Sequence, residues 1–250
     1  MAGLRTFLTR AALILALLLP VYFLVAALGT RFGLLDWRIG FGVMTFRLGA
    51  PIILGVAVLA LIALLLAIFV KPRAGWRSAL VALLIPALGL GYGLYARARA
   101  QSIPPIHDIS TDLANPPQFS PALLEARAAS HAMNDVVSTP EVAAAQRAGY
   151  SDIQPIALTL APQQAFDRAL AAARALGWTI TAENRDAGLI EANVRSFWYG
   201  FTDDIVVRVS AAPAGSVVDV RSVSRVGLSD LGANAARIRA LRESLNETGE

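Results

Sequence analysis

The residues of this chain best suited to chemistry are aspartates and arginines set at even intervals. Asp219, Arg221 and Arg225 share one spacing, and Asp204 and Arg208 share it in the run just before. In a strand, positions two apart point to the same face. Guanidinium forks match the geometry of carboxylates and phosphates, so such a face suits a partner chain, a lipid headgroup or an anionic ligand. Asp203 and Asp204 raise a second chemistry, hydrolysis by paired carboxylates. Adjacent strand residues point to opposite faces, however, so these two act together only if a turn brings them round. His107 and His131 are the only histidines. They would have to converge with acids such as Asp108 and Asp112 to hold a metal, and a polar linker explains them better. With no cysteine and no cofactor motif in the sequence, no metal and no cofactor is expected.

These side chains need a sheet to place them. From residue 153 onward the pattern is strand, helix, four strands, helix. Ile156, Leu158 and Leu160 alternate as a first strand. Pro162 opens a helix in which Phe166, Leu170, Ala173 and Leu176 recur at helical spacing, closed by Gly177. Extended runs follow at Trp178–Glu183, Leu189–Phe201, Ile205–Ala211 and Ser216–Val226. A last helix is predicted from Ser229, an N-cap residue followed by Asp230, with the apolar stripe Leu231, Ala235, Ile238, Leu241 and Leu245. The fold class is therefore α+β, an antiparallel sheet of about five strands with two helices packed on one face. The turn at residues 212–215 pairs Val209 with Val218 and keeps the apolar faces together. That register sets Arg208 opposite Asp219, and Asp204 opposite Val223 with Arg221 and Arg225 diagonal to it. Glu191, Asn193 and Arg195 fall on the same outer face. The candidate binding face is thus Arg195, Asp204, Arg208, Asp219, Arg221 and Arg225. It is an ionic lattice expected on the sheet face away from the helices, either solvated or open to a partner. The run Phe197–Phe201 is either core and hairpin end or an exposed aromatic tip.

The first hundred residues are of another kind. Before His107 the chain has ten basic residues against the single acid Asp36, a balance of +9; a total of +4 leaves −5 beyond it. Three stretches, Ala11–Thr30, Leu48–Val70 and Ser78–Ala96, carry no charge. Roughly 20 helical residues cross a hydrocarbon core of about 30 Å, so each is long enough to span a membrane. A cleaved signal peptide is the alternative for the first, with Arg5 and Arg10 as its basic end; the long apolar run and two further spans favour an anchor. The positive balance belongs to membrane flanks, where arginine meets anionic headgroups, and nucleic-acid binding is not expected. No ionisable residue lies within a span, which disfavours ion or proton transport. Gly89 and Gly93 fit the small-residue spacing that lets membrane helices approach; a dinucleotide loop would need a preceding strand. Between spans one and two, Phe32, Trp37, Phe41 and Phe46 alternate with Arg38 and Arg47 as an interfacial segment.

Basic residues divide five against five between the two sides: Arg5, Arg10, Lys71, Arg73 and Arg77 against Arg31, Arg38, Arg47, Arg97 and Arg99. Charge density in the short second loop places the N-terminus in the cytoplasm and the C-terminal domain outside the inner membrane. The expected organisation is a three-helix transmembrane anchor at 1–100, a Pro-rich strap with short helices at 101–152, and an α+β domain at 153–250. Ile103-Pro104-Pro105-Ile106 and Asn115-Pro116-Pro117 keep the strap extended. Pro121–Met133 and Pro140–Ala148 have helical composition, each with proline at its first position.

Several ordered motifs resemble a known family. They are Ile106-His107-Asp108-Ile109-Ser110-Thr111-Asp112, Asn115-Pro116-Pro117 and Phe119, then Ser196–Asp204, Val218–Arg225, Gly227, Ser229-Asp230-Leu231-Gly232, Asn234, Arg237 and Ile238. From Ile103 to about Leu241 the chain resembles the bacterial proteins grouped as domain of unknown function 1499, in a membrane-anchored form. The resemblance marks the Asp204/Arg221/Arg225 group as recurring motif positions. It also marks the helix start containing Ser229, Asp230, Asn234 and Arg237. It implies no reaction. The expected function is a soluble binding or interaction domain displayed at the cell envelope, with the lipid bilayer as one partner and an envelope protein or anionic ligand as another. A lipid- or small-ligand-binding domain and an Asp/Arg-dependent hydrolase are the alternatives.

Overall fold

A computed structural model describes residues 2–247. The chain divides into two compact units: Met1–Gln101 with Phe197–Gly200, and Ser102–Ser196 with Phe201–Glu250.

The first unit is helical. Helices α1 (Ala2–Arg31), α2 (Gly49–Phe69) and α3 (Trp76–Gln101) are each long and apolar enough to cross a membrane. A π-helical segment, Arg38–Arg47, joins the first two. Their shared seam is made of alanine: Ala12, Ala16, Ala60, Ala63, Ala79 and Ala82 are fully buried. Small side chains let the helix backbones approach closely. The expected glycine pair contributes less. A Cβ at Gly89 would meet Ile53 at an ordinary 3.5 Å, and one at Gly93 would meet nothing within 4 Å. Arg5 is buried near the end of α1, where its guanidinium donates to the Val70 carbonyl at 3.3 Å.

The second unit is built on one antiparallel sheet of six strands. These are β1 (Asp108–Ser110), β2 (Ile156–Leu158), β3 (Thr179–Asn184), β4 (Leu189–Arg195), β5 (Thr202–Ala212) and β6 (Gly215–Ser224). The path runs β1-β6-β5-β4-β3, and β2 also pairs with β6. β1 and β2 thus share the outer edge of β6, one opposite Arg221–Val223 and the other opposite Ser216–Val218. The β5–β6 register is the one the turn predicts, with Val209 opposite Val218, Arg208 opposite Asp219 and Asp204 opposite Val223. The sixth strand is β1, contributed by the Pro-rich segment, whose three residues are too few to show a period.

Helices α6 (Pro162–Ala175) and α7 (Ala233–Glu247) cover one face. Phe166, Leu170, Ile238, Leu241 and Leu245 pack there on Ile190, Ile205, Val207, Val218 and Val220. The final helix begins later than its sequence suggests. Leu231 and Gly232 both take positive φ (54° and 83°), which holds the chain out of the helix until Ala233. Ser229 Oγ accepts the Leu231 N–H, while Asp230 caps the helix by accepting the Gly232 and Asn234 N–H groups at 2.9 and 2.7 Å. Leu231 therefore lies outside the apolar stripe and is exposed.

The opposite face is also covered. Helix α4 (Pro121–Ala129), capped by Ser120, sets Leu123 against Val206 and Val223, with Phe119 and Val136 beside them. Helix α5 (Pro140–Gly149) follows. From it Gln146 bonds both main-chain groups of Ser110 on β1.

Candidate functional site

The face that carries the Arg/Asp lattice is neither solvated nor open. Val206 and Val223 lie on it among the charges, and burying them draws the segment from Asp108 to Val136 across the sheet. That cover supplies the partners of the charged residues.

Asp204 is fully buried between two arginines. Arg127, from α4, donates to its Oδ2 at 2.6 Å; Arg225 donates through Nε to Oδ2 and through Nη2 to Oδ1, both at 2.8 Å. Arg127 has a second fork on the Asn134 carbonyl at 3.0 Å. Arg225 reaches Ser130 Oγ at 2.9 Å. Arg221, 1% exposed, grips Asp108 on β1 with both arms, at 3.0 and 2.7 Å. It also donates to the Val136 carbonyl. The Phe119 ring lies under Arg127 and Arg221 at 6.0 and 5.6 Å, the approach of cation–π contacts.

Toward the other end of β6, Arg208 bridges Asp219 at 2.8 Å and Asp112 at 3.0 Å, and bonds the Asn115 carbonyl. Thr111 Oγ1 donates to Asp219 and accepts the Val220 N–H. Glu191 on β4 is buried and accepts both the backbone and the hydroxyl of Ser120. Arg195 is exposed at the end of β4, away from the buried pairs.

Removing two charges from water costs several kcal/mol each, and attraction offsets this only with good geometry and full hydrogen bonding. Here the carboxylates of Asp108 and Asp204 are met bidentately, and the guanidinium groups also bond the Asn134 and Val136 carbonyls and the Ser130 hydroxyl. The result is a clasp. The acids of the strap (Asp108, Asp112) meet arginines of the sheet, and the strap's Arg127 meets an acid of the sheet.

A second polar cluster lies on the helix face. Asn234 is buried and bonds Ser222 Oγ, Ser224 Oγ and the His107 carbonyl. Arg237 donates to Ser222, Asn234 and, at 2.8 Å, to Asp203. Burial pushes the Asp230 carboxyl above its ordinary range; the amides of Gly232 and Asn234 oppose that, and the charge of Asp203 adds to it. Ser229, Asp230, Asn234 and Arg237 are thus brought together, with Ser229 at the margin. Asp203 and Asp204 point to opposite sides of the sheet and each is held by arginine, so they do not form an acid/base pair. Among the described residues no group of three potential ligands converges to hold a metal. A shallow cleft of about 320 Å³ between α6 and α7 is lined by Arg168, Ala171, Ala172, Ala175 and Ser244, outside both clusters.

A family model described as protein of unknown function (DUF1499) matches residues 108–245, more than half of the chain. The chain belongs to this family. The matched region opens on Asp108, the residue that Arg221 holds, so the strap and both polar clusters lie inside the DUF1499 domain while the three apolar helices precede it. A comparison with curated proteins finds no match.

Sequence reasoning placed Glu191 on this face but missed its partner Ser120, and it missed Arg127 and Asp108 as members of the lattice. The signal for them was present. Val206 and Val223 alternate with the charges, and two valines on a face assigned to solvent call for a cover.

Proposed function

We propose that this DUF1499 protein is a multi-pass inner-membrane protein that displays a closed α+β domain outside the cytoplasm, with its N-terminus inside. The domain serves binding or structural work at the envelope. The observation that carries the proposal is the saturation of the Asp204/Arg221/Arg225 group. The residues best placed to seize an external anion or acidic peptide are engaged by the chain's own strap. Their first role is to hold Asp108–Val136 on the sheet, and an external partner of that face would have to displace the strap. A hydrolytic role gains nothing from this arrangement, since Asp203 and Asp204 are each held by arginine.

Placement is tested with paired fusions at the C-terminus. An alkaline phosphatase fusion is expected to be active and a green fluorescent protein fusion dark. A fluorescent fusion with inactive phosphatase would overturn the orientation. Both fusions recovered in the soluble fraction would overturn the membrane anchor itself.

A further inference from the structure

We propose that one end of the helical unit binds a phosphate group, carried by an anionic glycerophospholipid, between Arg5 and Thr9 of α1 and the cations of the α2–α3 connection. The proposal rests on the membrane-anchor reading above and holds whichever end of the helices is cytoplasmic.

Arg5 is 6% exposed, buried much as the arginines of the clasp are, but without their partners. Among the described residues its hydrogen bond runs to the Val70 carbonyl, at a long 3.3 Å, and no carboxylate meets it. A guanidinium carries five N–H donors, and a buried cation is costly until it is paired. The first unit cannot supply the anion. Its single acid, Asp36, pairs with Arg38 beyond the far end of α1, and the 30 residues of that helix run about 45 Å.

Thr9 lies one turn further along the same face. The other threonines of α1, Thr6 and Thr30, donate their hydroxyls to the carbonyls four residues back, those of Ala2 and Ala26, at 3.0 and 2.8 Å. Thr9 does not. It is equally buried at 6%, and its Oγ1 has no partner among the described residues. A buried hydroxyl left unpaired loses the free energy that the ordinary back-bond would have kept. Both side chains face the same connection. Arg5 bonds Val70, and a Cβ on Gly75 would lie 3.5 Å from Thr9 Cγ2 and 3.8 Å from its Oγ1. Between and just beyond those two points the connection carries Lys71, Arg73 and Arg77, all exposed. Residues 71–75 form neither helix nor strand, so a headgroup reaches the pair by displacing a few loop residues.

The level of the site says which anion fills it. Arg5 and Thr9 precede the uncharged stretch of α1, Lys71 follows that of α2, and Arg77 precedes that of α3. Three crossings therefore put these donors at one edge of the hydrocarbon core, where lipid phosphates are concentrated. A planar fork and a hydroxyl suit phosphate oxygens, and the surrounding cations favour a net negative headgroup over a zwitterionic one.

Full-length protein purified in detergent would be titrated with phosphatidylglycerol, with phosphatidylcholine and with inorganic phosphate, and the bound forms counted by native mass spectrometry. Phosphatidylglycerol is expected to bind more tightly than phosphatidylcholine, and inorganic phosphate to be lost. Thr9→Val keeps shape and charge and removes the hydroxyl. It should weaken phosphatidylglycerol binding about tenfold, the loss of one hydrogen bond to a charged group, while melting in lipid-free detergent no lower than the parent. Arg5→Gln should weaken binding further. Arg10→Gln removes the same charge from an exposed position and should change binding by less than about twofold. Equal losses for Arg5→Gln and Arg10→Gln would reduce the effect to net charge and overturn the site. Thr9→Val binding like the parent would also overturn it, as would Thr9→Val melting below the parent without lipid, since the hydroxyl would then be structural. Inorganic phosphate held as tightly as phosphatidylglycerol would assign the site to a free anion and overturn the lipid assignment. A chain that stays monodisperse without detergent would bring down the membrane reading, and the lipid site with it.

Discussion

On one side of the sheet Ile205, Val207, Val218 and Val220 meet Phe166, Leu170, Ile238 and Leu241; on the other Asp204, Asp219 and Arg221 meet Arg127, Thr111 and Asp108. Both faces exclude water, and they do so by opposite chemistry. An apolar face gains free energy from any close-packed cover, in proportion to the area removed from water. A buried ion pair gains from one geometry and loses heavily in others. The helices can therefore be held by shape, whereas a strap with few apolar side chains is held in a single register by charge. Ile109, Phe119, Leu123 and Val136 give it some grip, and Asp108, Asp112 and Arg127 say where it must lie.

The comparison breaks most readily at Asp204. Replacing it with alanine strands Arg127 and Arg225 in a dry site and is expected to cost about 3–5 kcal/mol. Phe166→Ala, on the helix face, should cost a similar amount, about 3–5 kcal/mol, by leaving a cavity. The two are distinguished by limited proteolysis of the full chain. Asp204→Ala should open cleavage near Arg127 under conditions where the β5–β6 hairpin stays intact, while Phe166→Ala should loosen strap and sheet together. Equal patterns of cleavage would mean that the charges do not single out the strap.

Arg221→Lys sharpens the same point at smaller scale. Lysine keeps the charge but cannot hold both oxygens of Asp108, so the melting transition should fall by the equivalent of one charged hydrogen bond, about 1–3 kcal/mol. A variant as stable as the parent would show that the fork geometry contributes nothing.

The smallest effect concerns the helix-side cluster. Burial raises the Asp230 carboxyl in the folded state. A raised carboxyl binds its proton more tightly folded than unfolded, so its ionisation opposes folding above the unfolded value, and that penalty is relieved as pH falls through the folded value. Asp230→Asn keeps a capping oxygen for Gly232 and Asn234 without the charge. At neutral pH its melting temperature should equal or slightly exceed that of the parent. The difference should shift in the parent's favour on acidification. A shift the other way would contradict the raised carboxyl.

The sheet was legible because its signals are local. The 212–215 turn and the alternation of Val207, Val209, Val218 and Val220 determine which residues face each other, and the ionic neighbours of Asp204 and Arg208 on β6 follow from that. The cover was not. The strap is rich in proline and polar residues, and its single β-strand is three residues long, so nothing in its own pattern says that it lies on a sheet. Its contacts with β6 span about a hundred residues of sequence, as in Asp108 with Arg221. Only the valines at 206 and 223 pointed to a second layer. The start of α7 was misplaced for a related reason: Ser229 is a good cap by type, but the positive φ angles of Leu231 and Gly232 pass that role to Asp230.

Amide hydrogen exchange across the strap of the full-length protein tests the clasp most directly. The N–H groups of Ser110, Thr111 and Ser120 are bonded to Gln146, Val220 and Glu191. They should exchange as slowly as the β5–β6 ladder, and faster only when Asp204 or Arg221 is replaced. Exchange at the rate of a free proline-rich linker in the unaltered chain would contradict the account.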